Sequence, residues 1–272
     1  MLLTGNPNWG TVPVGFSNHD GSFRVTNLAN GFIASNASLP GVKLIAGDFD
    51  GDGRSDIALM GNPTWITVPV AFSNGDGTFN VTNGGNSFWA SNAAAANVKV
   101  VTGDFDGDGR TDIAMMGNAG WNTVPVAFSN GDGSFRVTNA TNAFWASNAA
   151  SGNVKVVTGD FDGDGKTDIA MMGNATWSTV PVAFSNGDGS FRVTNTTNAF
   201  WASNAGSANV QVVTGDFDGD GKTDIAMMGN PVWNTVPVAF SNGDGSFRIT
   251  NTPNAFWASN AALNNVKVVN QY

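Results

Sequence analysis

The 272-residue sequence sets 12 Lys plus Arg against 21 acidic residues, for a net charge of −9, and contains one His and no Cys. Every acid is Asp, so a His-based triad, a Cys nucleophile and a His or Cys zinc cluster are all disfavoured, and carboxylate chemistry survives only through Asp. The acidic balance argues against nucleic acid as a partner, no apolar run reaches the roughly 18 residues of a membrane span, and MLLTGNPNWG shows no signal peptide.

Abundant Gly (35 residues) and Asn, with no Ala/Leu/Glu/Lys stretch, lean the chain toward β structure. The chain opens on a short apolar run, LLTG, followed by a polar loop with Trp9. The strand-like TVPVGFS then leads through the turn NHDG into a further strand, and a long polar link containing Ile33 ends at an acidic stretch beginning at Asp48. From there the pattern recurs with a period of 56, marked by Trp9, Trp65, Trp121, Trp177 and Trp233. One full unit, from Val154, reads as four strands: VKVVTGDF, TDIAMMG, TVPVAFSN and SFRVTN. The third and fourth are joined by NGDG, a strong hairpin signal because Asn and Gly tolerate positive φ. Pro181, near the start of the third strand, removes a ladder donor and is read as a bulge or the strand's first residue.

Four antiparallel strands per repeat describe a propeller blade, so the expected fold is an all-β propeller of five four-stranded blades forming one domain over residues 1–272. The chain begins with the second strand of a blade and ends with a first strand, VKVV at 266–269. Pairing of the N-terminal and C-terminal strands would close the ring. A solenoid is the structural alternative, but it would need polar end caps.

Sixteen of the 21 Asp fall in four clusters: Asp48, Asp50, Asp52 and Asp56; Asp104, Asp106, Asp108 and Asp112; Asp160, Asp162, Asp164 and Asp168; and Asp216, Asp218, Asp220 and Asp224. In DFDGDGRSD the acids occupy positions 1, 3, 5 and 9 with Gly at 6, the ligand spacing of an EF-hand-type calcium loop. The backbone carbonyls of Arg54, Arg110, Lys166 and Lys222 stand at position 7. Leu59 replaces the bidentate Glu of position 12, so weak, structural calcium sites are expected, and four divalent ions would bring the net charge from −9 to −1. The competing reading is a set of Asp-Gly turns whose side chains cap their own backbone. The other five acids, Asp20, Asp76, Asp132, Asp188 and Asp244, each sit in a hairpin turn.

Strand alternation puts the acidic loops and the hairpins at one end of each blade. The Trp9 series and a second series, Trp89, Trp145, Trp201 and Trp257 with Ile33 in the first copy, fall at the other. An end rich in Trp, Asn, Ser and Thr and free of carboxylate suits sugar: C–H faces pack on indole, while Asn62, Asn118, Asn174 and Asn230 offer a donor and an acceptor to vicinal hydroxyls. For either single Trp series, filling the space between blades is the equal alternative.

The combination GDFDGDGKTDIAMMGN, W.TVPVAFSNGDGSFRVTN and FWASN resembles the propeller lectins typified by the Psathyrella velutina and Photorhabdus lectins, themselves related to FG-GAP and integrin-type calcium repeats. The resemblance runs through essentially the whole chain. It implies a non-catalytic, multivalent lectin, secreted or acting outside the cell, with sites for fucose, N-acetylglucosamine or similar sugars between neighbouring blades. Its glycan partners would be met by a monomer or an oligomer, the monomer being favoured. The family's rings have seven blades and this chain holds five repeats, which leaves open closure as a five-bladed ring, assembly of several chains, or an engineered array. The alternative function is a calcium-binding structural or adhesion scaffold without sugar binding.

Overall fold

The computed structural model describes residues 1–85, 91–141, 147–197, 199–253, 260, 261, 263 and 266. Among them the chain is all-β, with four four-stranded antiparallel sheets and one two-stranded sheet. The two-stranded sheet pairs β1 (Thr11–Ser17) with β2 (Phe23–Ala29), and Leu2 bridges Val14 as the start of a third strand. The second sheet runs β3 (Lys43–Gly47), β4 (Asp56–Met60), β5 (Thr67–Ser73) and β6 (Phe79–Gly85). The same order recurs in β7 (Lys99–Gly103) to β10 (Phe135–Thr141), β11 (Lys155–Gly159) to β14 (Phe191–Thr197) and β15 (Gln211–Gly215) to β18 (Phe247–Pro253). The expected four strands per repeat are present. The C-terminal strand expected to close the ring lies, apart from Val266, outside the described residues.

The strand-three proline departs from expectation in an instructive way. Pro181 is the third residue of its strand and pairs with Asn195 of β14, while pairing of β12 (Asp168–Met172) with β13 (Thr179–Ser185) reaches only Val182. In the first sheet the carbonyl of the equivalent Pro13 accepts from Leu3 N at 3.0 Å, so its ring nitrogen faces the strand-two side. Backbone N and O of one strand residue point the same way, so the proline sits in a non-hydrogen-bonded pair with strand four and costs that ladder nothing.

Two links contain short helices where only loop was expected: α1 (Gly31–Asn36) and α2 (Ala199–Asn204). Asn30 caps α1, its side chain accepting from Ile33 N at 3.2 Å, and Ile33 and Ala34 turn into the core.

Two compact units make up the chain: residues 1–102, 109–113 and 127–137, and residues 103–108, 114–126 and 138–272. In the first, Val12, Ile33, Ala34, Ile57, Leu59 and Ala71 form a buried cluster. In the second, Phe161, Met172, Val182, Phe184, Ala202 and Met227 belong to a larger one that joins successive sheets. All five residues of β4 and of each of its equivalents are buried, as a strand packed on both faces must be.

Within each unit, successive sheets are locked by the same contacts. Thr111 N donates to the Asp48 carbonyl and Thr223 N to that of Asp160, both at 2.6 Å. Ser129 Oγ donates to the Phe49 carbonyl and Ser241 Oγ to that of Phe161, again at 2.6 Å. The rings of Phe49 and Phe135, and of Phe161 and Phe247, meet edge to face at 6.1 and 6.2 Å. Close approach requires glycine: a Cβ on Gly159 would lie 2.3 Å from Thr223 Cγ2.

Candidate functional site

Each acidic loop is a nest of backbone amides closed on its first carboxylate. Asp48 Oδ1 accepts from Gly51 N at 2.8 Å and Asp52 N at 3.1 Å, and its Oδ2 accepts from Gly53 N at 2.8 Å. Asp160 and Asp216 repeat the pattern. The glycines at positions 4 and 6 make the wrap possible, Gly51 and Gly53 having φ of 79° and 84°. The position-9 acid is buried in every loop. Asp56 accepts from Phe49 N at 2.9 Å and Ser73 N at 2.8 Å, so it bolts the loop to the end of β5. Asp168 makes the same two bonds with Phe161 and Ser185.

Carboxylates at positions 1, 3 and 9 converge in three loops, Asp48, Asp50 and Asp56; Asp160, Asp162 and Asp168; and Asp216, Asp218 and Asp224, with one oxygen of each within 4.8 Å of the others. In the remaining loop the converging set is Asp104, Asp106 and Asp108, at positions 1, 3 and 5. The position-5 acids of the other three loops turn instead to the basic residue at position 7. Asp164 meets Lys166 Nζ at 2.6 Å, Asp220 meets Lys222 Nζ at 2.6 Å, and Asp52 pairs with the Arg54 guanidinium. The expected four-acid set is therefore drawn together only in part.

Burial drives the position-9 carboxyls upward, Asp56 to about 6 and Asp168 to about 7, with Asp224 shifted the same way. Burial first, then neighbouring acids, raises Asp162. Asp162 Oδ1 is buried and accepts no hydrogen bond. Converging oxygen donors with a buried, unsatisfied carboxylate oxygen fit a hard divalent cation, whose charge would relieve the repulsion and the desolvation together.

Acidic loop and hairpin share one end of each sheet, as expected: Arg54 Nε donates to the Ser73 carbonyl at 2.8 Å and Arg110 Nε to that of Ser129 at 2.9 Å. The hairpin acids are turn caps. Asp76 Oδ1 accepts from Thr78 N and Oγ1 at 2.8 and 2.6 Å, and the side-chain bond holds its carboxyl below the usual range. Asp20, Asp132, Asp188 and Asp244 make the same two hydrogen bonds with Ser22, Ser134, Ser190 and Ser246.

At the opposite end each Trp-bearing loop is an Asx turn. Asn62 Oδ1 accepts from Thr64 N at 3.0 Å and Thr64 Oγ1 at 2.8 Å, while Trp65 N donates to the Asn62 carbonyl at 3.1 Å. Asn174 repeats all three bonds, and Asn118 and Asn230 accept from the amides of Gly120 and Val232. Asn6, in the first copy, makes the same turn around Asn8 and was missed, although the motif GNPNW stands in the sequence. The amide oxygens are thus engaged locally, and the free polarity of these side chains is the NH2 donor.

Trp65 is half-buried against the core cluster of the first unit, and Trp177 and Trp233 against that of the second. Trp121 is likewise half-buried and Trp9 is 38% exposed, so each of these indoles keeps a surface open to solvent. Of the second series, Trp89, Trp145 and Trp257 lie outside the described residues. Trp201 falls within α2 with its side chain outside them. Ile33, their counterpart, is completely buried.

The FG-GAP-like repeat matches residues 48–115, 104–171 and 160–227, which together span two thirds of the chain. The fold is similar to that of a lectin from Agrocybe aegerita, described as specifically recognising non-reducing terminal N-acetylglucosamine. Identity is 27% and the TM-score 0.73, over 92% of this chain and 62% of the lectin's. The chain thus spans less than two thirds of that lectin's length. A Photorhabdus luminescens Tc holotoxin pore structure shares the fold alone, at 14% identity and a TM-score of 0.56, over 92% of this chain and 12% of the other. Among curated proteins none matches the sequence significantly. Fold, repeat period and acidic-loop pattern agree with these likenesses, and the chain belongs to the FG-GAP-like repeat family.

Proposed function

We propose that the chain is a non-catalytic, multivalent lectin for monosaccharides of the N-acetylglucosamine or fucose type, with its acidic loops stapled by calcium. The observation that carries the reading is the likeness over 92% of the chain to a lectin that recognises terminal N-acetylglucosamine. The partly open indoles of Trp9, Trp65, Trp121, Trp177 and Trp233 supply the stacking platforms between blades, and the NH2 groups of Asn62, Asn118, Asn174 and Asn230 donate to sugar hydroxyls. The burial of Ile33 favours a packing role over a pocket role for its repeat equivalents Trp89, Trp145, Trp201 and Trp257. Among the described residues no carboxylate pair stands at this end to serve as acid and base for glycoside hydrolysis.

Calcium would be held by the converged Asp carboxylates and the backbone carbonyls of Arg54, Arg110, Lys166 and Lys222. With no bidentate Glu, the expected dissociation constant is about 10⁻⁴ to 10⁻³ M. The ion supplies positive charge that holds each loop closed, and no reaction step depends on it.

Glycan-array screening followed by calorimetry with free N-acetylglucosamine and fucose tests the lectin reading. Trp121→Ala with its repeat equivalents should abolish binding, while Asp132→Asn with its equivalents should leave it intact. A blank array from a protein still stabilised by calcium would leave a structural or adhesion propeller in its place.

A further inference from the structure

The fourth strand of each repeat carries one residue directly opposite the phenylalanine of the third. Arg192 lies opposite Phe184 and Arg248 opposite Phe240. Each guanidinium stacks over its ring, at 4.2 and 4.3 Å from the centroid, and Arg136 stacks over Phe128 at 4.1 Å. The stack fixes the direction of a long side chain that would otherwise sample many rotamers. It aims the charge at the acidic loop of the same sheet: Arg192 Nη2 lies 3.5 Å from Asp162 Oδ2, and Arg248 Nη2 lies 3.2 Å from Asp218 Oδ2. Both partners are position-3 acids of the converging sets. In the second sheet the place opposite Phe72 is taken by Asn80, which is exposed, neutral and short.

We infer that Arg192 and Arg248 are tethered counter-ions that compete with the cation of the acidic loops they face, and that the first loop, in whose sheet Asn80 takes their place, loads more tightly than those two. The inference rests on the calcium reading of these loops. A guanidinium on the position-3 carboxylate must be displaced or tolerated when a divalent ion arrives, and it adds a like charge beside that ion. The position-7 bases do not separate the first loop from the Asp160 loop, since each pairs with its own, Arg54 or Lys166, and has the next repeat's base against its position-4 glycine, Arg110 at Gly51 and Lys222 at Gly163. Arg192 and Arg248 are 53% and 57% exposed, so solvent screens them and the penalty is moderate, roughly three- to tenfold in affinity. The arginine also shields the cation-free loop, which keeps an unloaded blade from being driven apart by its own carboxylates.

The test is calcium calorimetry on the whole chain after chelator treatment and dialysis, at low ionic strength, with circular dichroism to confirm the fold of each variant. The parent should show the first loop as a tight site and the loops facing Arg192 and Arg248 as two weaker ones. Asn80→Arg should move the tight site into the weaker class, and Arg192→Met with Arg248→Met, which keeps an apolar stem over each ring, should move two sites the other way. The gap between classes should narrow as salt is raised. Four equivalent sites in the parent, or an Asn80→Arg isotherm identical to it, would overturn the inference while leaving calcium binding in place. No calcium heat from the parent would remove the calcium reading and this inference together.

Discussion

His19 takes a φ of 63°, the single positive value at a non-glycine among the described residues, in the hairpin place that Gly75, Gly131, Gly187 and Gly243 fill in the other repeats. Left-handed backbone costs a residue with a Cβ about 1–2 kcal/mol, and glycine's greater freedom in the unfolded chain returns part of it. His19→Gly should therefore stabilise the fold by about 0.5–1 kcal/mol, read as a higher midpoint in urea. Asp168 makes a different residue-scale prediction. Its folded carboxyl is raised to about 7 by burial, above its ordinary 3.8, so in chelator the stability it contributes is present below pH 4 and lost as pH rises through 7. Calcium must displace that proton, so its affinity should fall as pH drops from 8 to 5. Calorimetry at several pH values checks this, and a pH-independent dissociation constant would exclude the buried carboxylates as ligands.

At the scale of elements, strands, hairpins and acidic loops were legible because each is written in a run of fewer than about ten residues with its own alternation or turn chemistry. What escaped was written across the repeat. Thr111, Thr167 and Thr223 look like loop filler in sequence, yet each bonds a carbonyl of the preceding acidic loop. Ser129 is one residue of a strand end until Phe49, 80 positions away, is placed beside it. The helix α1 was hidden by length, since six residues rich in Gly, Ser and Asn carry no helical period. Its one signal was Asn30, three residues ahead of Ile33. The Asn of the Trp loops was identified as a polar group but not as a turn former, which took its oxygen out of the candidate site. The interlock can be tested directly. Gly103→Ala would set a Cβ 2.2 Å from Thr167 Cγ2 and should destabilise by about 1–3 kcal/mol. Ser241→Ala removes the hydroxyl donor of the Phe161 carbonyl and should cost about 1–2 kcal/mol in chemical denaturation.

For the whole molecule, calcium should raise the melting temperature, because a ligand that binds only folded loops adds RT ln(1 + [L]/Kd) at each site. Equal melting in millimolar calcium and in excess chelator would count against the metal. Sugar stoichiometry tests how the Trp series divide their work. Ile33 is fully enclosed among Val12, Leu59 and its neighbours, so Ile33→Trp should overpack the core, lower stability by about 1–3 kcal/mol and leave the number of bound sugars unchanged. One additional sugar per chain would return the second Trp series to the pocket.

The locks between successive sheets are copies of one another: Asp48 to Thr111, Asp104 to Thr167 and Asp160 to Thr223 are the same bond at the same 2.6 Å. A surface that fits any of its siblings makes chain length a heritable variable. Misaligned recombination between two copies of the coding sequence would insert or delete one unit and still produce a junction of tested chemistry. Such a lineage can change its blade number in a single step, without a misfit intermediate for selection to remove.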